Sequence, residues 1–130
     1  MKKLYVISFF FIFLSCSKSN DDKSSNNVEV IFEVESHTNV AFDYVSYNDI
    51  KANTPDGFVK WSLSESGTFK RHGFVKKGAG AFLQAQHPNS DQWKLRIKKL
   101  DGTVIAESGT IRKGTGNPSA YTGGCQAQIN

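Results

Sequence analysis

Hydrophobic and polar residues alternate along the chain from position 28 onward. In segment 28–35, Val and Phe at every second position share one side, glutamates share the other, and Ile31 is the exception. A period of two is typical of a strand with one buried and one exposed face. Turn-forming residues separate such segments, and no sustained helical period is present. We predict strands at 28–35, 40–47, 57–64, 68–75, 79–87, 92–100 and 103–109, with an eighth near 120–129.

Seven or eight short strands at a spacing of about ten residues predict an all-β fold. We expect a single antiparallel immunoglobulin-like β-sandwich. The polar stretch 48–56 is expected to cross between the two sheets, and Ser66-Gly67 is expected to join the third strand to the fourth as a hairpin.

The turn at Asp101-Gly102 gives the most detailed local prediction. A two-residue type I′ turn there pairs Ile97 with Ala106 and Arg96 with Glu107. We therefore expect a cross-strand ion pair between Arg96 and Glu107. The same register predicts that one inward face combines Trp93, Leu95, Ile97, Val104 and Ala106.

The first 15 residues have the pattern of a secretory signal. Two lysines precede the apolar run 4–14, which is too short to span a bilayer. The following Ser15-Cys16 resembles a bacterial lipobox, which implies cleavage before Cys16 and lipidation of its thiol. We therefore expect a removed signal peptide at 1–15 and a membrane anchor at Cys16.

A polar segment follows the predicted anchor. Residues 17–27 contain no apolar side chain, so we expect 16–27 to be the lipidated Cys and a disordered tether, and 28–130 to be the folded domain. The acidic start of the tether resembles that of Bacteroidota lipoproteins. This implies a cell-envelope location, most simply the outer membrane, on either the cell surface or the periplasmic face.

Removing the leader also reduces the charge of the chain. The formal charge of +4 becomes +2 without Lys2 and Lys3, because 14 basic residues then face 12 acidic ones. Nucleic acid is not an expected partner. One asymmetry remains, a set of basic residues on two predicted strands that form a cationic binding face if these strands are neighbours. Its members are Lys70, Arg71, Lys94, Arg96 and Lys98. A solvated face with edge-protecting lysines is the alternative interpretation.

Motifs for catalysis are missing from the sequence. The histidines (His37, His72 and His87) are too far apart to form a local zinc-ligand pair, and we expect them in loops or on the surface. Cys125 has no base beside it, and we expect a buried or inert thiol, with an intermolecular disulfide and a nucleophile as alternatives. We assign no catalytic residue, metal ligand or cofactor. The chain is expected not to be an enzyme, with a small hydrolase as the remote alternative.

The favoured function is a binding or accessory module that uses one sheet face or loop end to engage an envelope partner, and a glycan-binding module is the alternative. A glycan platform requires exposed aromatic side chains, for which the candidates are Trp61, Trp93, Tyr44, Tyr47 and Tyr121. Both tryptophans lie on alternating apolar faces and are expected in the core. Burial of both would exclude a platform built on them.

Several segments resemble the soluble β-sandwich domain of the mycobacterial membrane protein small family, whose members are transport accessory proteins. The segments are Ile31-Phe32-Glu33-Val34, Phe42-Asp43-Tyr44, Trp61, Ala79-Gly80-Ala81-Phe82-Leu83-Gln84-Ala85-Gln86 and Asp101-Gly102-Thr103-Val104. The resemblance covers most of 28–124 and implies a sandwich fold without catalytic residues.

Overall fold

The computed structural model describes residues 26–116 and 119–130. The described part contains nine strands, and no helix that is long and apolar enough to cross a membrane is found in it. The predicted signal peptide, Cys16 and all but the last two residues of the predicted tether lie outside the described residues. The strands are β1 (Asn27–Ser36), β2 (Tyr44–Asn48), β3 (Phe58–Lys60), β4 (Gly67–Lys76), β5 (Gly80–His87), β6 (Trp93–Lys98), β7 (Val104–Glu107), β8 (Arg112–Lys113) and β9 (Tyr121–Gln128).

Two antiparallel sheets pack together as a β-sandwich, which confirms the predicted fold class. One sheet has four strands in the order β4-β1-β6-β7, and the other has five in the order β3-β2-β5-β9-β8. The short β8 was not expected, and β3 has three residues where eight were expected. Both differences occur at a sheet edge, where a strand has a partner on only one side.

The core consists of the inward side chains of both sheets. Phe32 of the four-stranded sheet contacts Tyr47 of the five-stranded sheet, with ring centroids 4.7 Å apart. Trp61 and Trp93 are 7% and 5% exposed, so both belong to the core, as the alternation predicted. Gly73 lies opposite the Phe32 ring, and a Cβ at this position would come within 2.8 Å of it. The core therefore packs tightly enough to require a glycine on β4.

The pairing of β3 differs from the sequence prediction. β3 pairs with β2, so the loop at 49–57 joins two neighbouring strands of one sheet instead of crossing between sheets. The crossing occurs after β3, because β4 lies in the other sheet, and the hairpin expected at Ser66-Gly67 does not form. Local turn signals mark where the chain reverses, but they do not specify the strand with which the next segment pairs.

The β6–β7 hairpin confirms the predicted register away from its turn. Arg96 pairs with Glu107 and Ile97 pairs with Ala106, but the register then shifts at a bulge. The type I′ turn is wrong, because only Gly102 of the turn has a positive φ, at 89°. The predicted inward position of Val104 is also wrong, because the bulge turns the start of β7. Val104 is 46% exposed, and Ile105 packs against the core in its place.

Candidate functional site

The outer surfaces of the two sheets are the candidate binding surfaces of this domain. On the four-stranded sheet, β1 lies between β4 and β6, and Glu33 has Lys70 as its cross-strand partner on one side and Arg96 on the other. We call this surface the ion-pair face. The charged members of its ion-pair network are Glu29, Glu33, Glu35, Lys70, His72, Lys94, Arg96, Lys98 and Glu107, and Lys76 lies on the same side at the end of β4 without an ion pair to a described residue.

Arg96 is the centre of the ion-pair face. Its Nη1 donates to the carboxylate oxygens of Glu33 and Glu35 at 3.0 Å and 2.6 Å, and its Nε donates to Glu107 at 2.8 Å. Lys98 Nζ lies 2.7 Å from Glu33, and Lys70 Nζ lies 3.6 Å from it. Glu33 is only 2% exposed although it points away from the core, because these cationic side chains cover it.

The pKa directions agree with this geometry. Burial alone would raise the pKa of the Glu33 carboxyl, but hydrogen bonds from Lys98 and Arg96 outweigh burial and hold it below its ordinary value of 4.5. The hydrogen bond from Arg96 lowers the pKa of Glu35 and of Glu107, and these same bonds raise the pKa of Arg96. Charges on this face are therefore satisfied within the protein.

The structure brings four of the five predicted basic residues to the ion-pair face. Lys70, Lys94, Arg96 and Lys98 lie there, but the strands that carry them flank β1 and are not neighbours. Arg71 belongs to the opposite side of β4, where its guanidinium lies 5.5 Å from the centre of the Trp61 ring. The four cations face the glutamates of β1 and β7, so the expected cationic face is a balanced network of ion pairs.

The outer surface of the five-stranded sheet has a different chemistry. Its side chains are mostly amides, hydroxyls and aromatic rings. The charged side chains on its strands belong to the two edge strands, and the carboxylates of Asp43 and Asp56 lie at its margin. We call this surface the amide face. Its members are Tyr44, Ser46, Asn48, Phe58, Lys60, Phe82, Gln84, Gln86, Arg112, Thr122, Gly124, Gln126 and Gln128. Five strands spaced at about 4.8 Å give it a width of about 19 Å.

Gln84 lies at the centre of the amide face, where three shallow depressions meet. They have volumes of 530, 270 and 300 Å³, and Gln84 lines all three. Gly124 is its cross-strand partner on β9 and lines two of them. Because Gly124 has no side chain, the surface beside the Gln84 amide stays open.

Two exposed aromatic rings lie on either side of Gln84. Tyr44 is 37% exposed and Phe82 is 41% exposed. The Phe82 ring lies over Gly80, where a Cβ would come within 2.8 Å of ring atoms, so the ring rests on the strand. Burial of both tryptophans, which the alternation predicted, excludes the alternative of a glycan platform built on them, and Tyr44 and Phe82 are the exposed rings of this face. Of the other candidates only Tyr44 lies on this face, and Tyr47 is 5% exposed.

Several hydrogen-bonding groups of the amide face lack a partner within the described residues. Gln84 Nε2 donates to Ser46 Oγ at 3.1 Å and Gln86 Nε2 donates to Asp43 at 2.9 Å, which leaves both amide oxygens open. The Gln126 side chain has no hydrogen bond to any described residue. Sequence reasoning missed this surface, because alternating polar residues on β2, β5 and β9 look like an ordinary solvated face until the strands are aligned.

His87 differs from the sequence prediction, because it is neither in a loop nor on the surface. It ends β5 with 0% exposure, and its ring contacts Phe42 edge-on with centroids 4.9 Å apart. His37 and His72 are exposed and pair with Glu35 and Glu29. Among the described residues no group of three or more His, Cys, Asp or Glu side chains is placed to hold a metal ion.

Cys125 points inward from β9 and is partly buried against the core. Burial, with a smaller effect of the Glu107 charge, raises the pKa of its thiol from 9.0 to about 12. At equal pH below 9, this lowers the thiolate population by about a thousandfold, and the thiolate is the nucleophile.

We therefore expect the native protein to react with iodoacetamide at pH 8 at least a hundredfold more slowly than a simple thiol. Mass spectrometry after timed quenching measures this rate. The same chain in concentrated urea is the control and should react at the ordinary thiol rate. Equal native and unfolded rates would show that the Cys125 thiol is not protected by the fold.

Comparison of the chain with protein-family models, with curated proteins and with solved structures finds no match. The resemblance to the mycobacterial membrane protein small family therefore stays a prediction.

Proposed function

We propose that this protein is a non-catalytic binding module of the cell envelope, anchored through a lipid on Cys16, and that it binds its ligand with the amide face. The observation that carries this proposal is the contrast between the two outer surfaces. The ion-pair face satisfies its own charges, with Glu33 covered by Arg96 and Lys98. The amide face keeps exposed rings and open amide oxygens around Gln84.

The chemistry of the amide face favours a glycan as the ligand. Amide oxygens accept hydrogen bonds from hydroxyl groups, and exposed rings such as Tyr44 and Phe82 cover the apolar C–H faces of sugars. A protein partner would more commonly require a dry, apolar centre surrounded by a polar rim, and here the centre is the polar Gln84. The proposed glycan site therefore consists of Tyr44, Phe82 and the amide side chains between them, and it does not use the tryptophans.

The margins of this face suit a ligand that is neutral or weakly acidic. Lys60 on β3 and Arg112 on β8 lie on the two edge strands, and neither forms an ion pair with another described residue. Arg112 lines the largest of the three depressions together with Tyr44 and Gln84. A guanidinium in this position can bind a carboxylate or a hydroxyl oxygen.

Photo-crosslinking in growing cells tests this proposal. A photoreactive phenylalanine analogue in place of Phe82 keeps an aromatic ring at this position and leaves Gln84 intact, and it should give broad, periodate-sensitive adducts on the amide face. The matched control carries the same analogue in place of His72, which is exposed on the ion-pair face and pairs only with Glu29. We expect adducts at position 82 and none at position 72.

Other outcomes of the crosslinking would change the proposed ligand or overturn the proposed binding surface. A discrete protein adduct at position 82 would replace the glycan with a protein partner and keep the amide face as the binding surface. No adduct at position 82, or equal yields at positions 82 and 72, would overturn the amide face as the binding surface.

A further inference from the structure

The N-terminal start of the described domain lies at one end of the sandwich. Exposed apolar side chains lie at the same end. β1 begins there, and the antiparallel order brings to the same end the β4–β5 turn, the β6–β7 turn and the C-terminal residues. Lys77 N donates to Asn26 O, and Gly78 N donates to Ile129 O at 2.6 Å. We call this the tether end, because the segment from Cys16 joins the domain here.

An open groove with apolar and polar walls lies at the tether end, between the ends of the two sheets. It has a volume of 620 Å³, and its apolar wall consists of Val28, Val30, Leu100, Ile105 and Ile129. Leu100 is 56% exposed, the highest exposure of any large hydrophobic side chain in the described residues. A side chain of this kind on a turn is free to insert into an adjacent apolar phase.

Two further apolar side chains lie exposed at this end. Val104, which the bulge rotates outward, is 46% exposed at the start of β7. Ile50 is 47% exposed in the loop at 49–57, and its amide donates to Phe74 O near the end of β4. At the opposite end of the sandwich, Val40 is the one large aliphatic residue that is exposed among the described residues, at 42%.

Exposed lysines accompany the apolar groups. They are Lys51, Lys76, Lys77 and Lys99, and none of them forms an ion pair with a described residue, although Lys51 Nζ also lies 3.4 Å from the centre of the Phe74 ring. The acidic groups nearby are partly engaged. Asp49 accepts backbone hydrogen bonds from Lys51 and Phe74, Asp101 accepts one from Thr103, and Glu29, which lines the groove, pairs with His72. Apolar tips among unpaired lysines are typical of surfaces that bind the interface of an anionic bilayer.

We infer that the tether end rests on the lipid surface of the membrane to which the chain is anchored, with Leu100 inserted among the lipids. This inference rests on the proposed anchor at Cys16. The tether that the sequence predicts can extend at most to residue 25, because Asn26 and Asn27 belong to the folded domain, and nine residues of such a tether would have a mean span of about 15–18 Å. The far end of the sandwich lies a further 33 Å or so away, the length of a ten-residue strand. The tether therefore holds Leu100 near the bilayer at a high effective concentration, which makes a weak contact persistent.

This contact fixes the orientation of the domain. Because the strands run from the tether end to the opposite end, they stand away from the membrane when the tether end lies on it. The amide face is then directed sideways, parallel to the membrane plane, where a neighbouring envelope component can reach it.

Fluorescence quenching on lipid vesicles tests the contact. The full mature chain, with Cys125 replaced by alanine, carries an environment-sensitive fluorophore on Leu100→Cys and is reconstituted into vesicles of mixed zwitterionic and anionic phospholipid. The matched control carries the fluorophore on Val40→Cys at the opposite end. We expect aqueous iodide to quench the label at position 100 about tenfold less effectively than the label at position 40.

Flotation of the vesicles separates the two proposals. If the chain floats with the vesicles and iodide quenches both labels equally, the membrane contact is overturned while the anchor stands. If the chain does not float, the anchor and the contact both fail. A second pair of variants carries the label on Val104→Cys, once with Leu100 intact and once with Leu100→Asp. The label should be protected from iodide in the first variant and quenched to the level of position 40 in the second, and continued protection in the second would show that the apolar tip is not what binds the lipid.

Discussion

Replacing Arg96 by alanine is expected to lower the free energy of unfolding by about 3–4 kcal/mol, because it leaves a buried carboxylate with too few partners. Glu33 is 2% exposed and would keep only Lys98 and Lys70. Glu35 would lose its shortest ion pair, and the apolar stem of Arg96 would no longer cover the sheet. Urea unfolding at pH 7, followed by tryptophan fluorescence, measures the loss.

The loss of unfolding free energy in Arg96→Ala should become smaller as the pH falls. Hydrogen bonds from Arg96 hold the pKa of Glu35 and of Glu107 below 4.5 in the folded protein. A carboxyl whose pKa is lower in the folded state stabilises the fold above its unfolded pKa, and this contribution disappears as the pH falls through the folded pKa. The difference between wild type and Arg96→Ala should therefore narrow below about pH 4.5, as these groups become protonated.

Lys94→Ala is the matched control on the same face. Lys94 Nζ lies 3.5 Å from Glu107, but both side chains are more than two-fifths exposed, so water replaces the lost contact. We expect its unfolding curve to coincide closely with that of wild type. If Lys94→Ala lowered the free energy of unfolding as much as Arg96→Ala, the burial of Glu33 would not be the reason for the large effect at Arg96.

The Arg96–Glu107 pair shows how far the sequence alone could reach. Both residues lie in one hairpin, so alternation together with the glycine turn was enough to align them, and the ion pair is present at 2.8 Å. The turn type and the bulge were not predictable in the same way. They depend on whether Val104 or Ile105 fits the core, which is a property of the opposing sheet.

Residues that are distant in sequence mark the limit of prediction. Glu33 reads as one more polar position of an alternating strand, and it becomes buried only because β1 lies between β4 and β6. The open centre of the amide face likewise depends on the alignment of Gln84 with Ser46 and Gly124, which lie on two other strands. Alternation indicates which side of a strand faces outward, but strand order decides which outward side chains meet.

Replacing His87 by leucine is expected to destabilise the protein by about 3–5 kcal/mol, because it leaves buried backbone groups without partners. His87 Nε2 lies 3.1 Å from Val40 O, and Nδ1 lies within 3.2 Å of the amides of Asn89 and Ser90. Since Nδ1 accepts from two N–H groups, the proton is on Nε2, which donates to Val40 O. One neutral ring thus joins two loops at the end of the sandwich.

Hydrogen exchange distinguishes this role from simple packing. The amides of Asn89 and Ser90 should exchange much faster in His87→Leu than in wild type under native conditions, since a leucine accepts no hydrogen bond. His72→Leu is the control, because His72 is exposed and only its pairing with Glu29 is lost. Leucine fills a volume similar to that of histidine, so the apolar contact with the Phe42 ring is largely kept. A large loss of stability with unchanged exchange at Asn89 and Ser90 would show that the ring contributes through packing and not through its three hydrogen bonds.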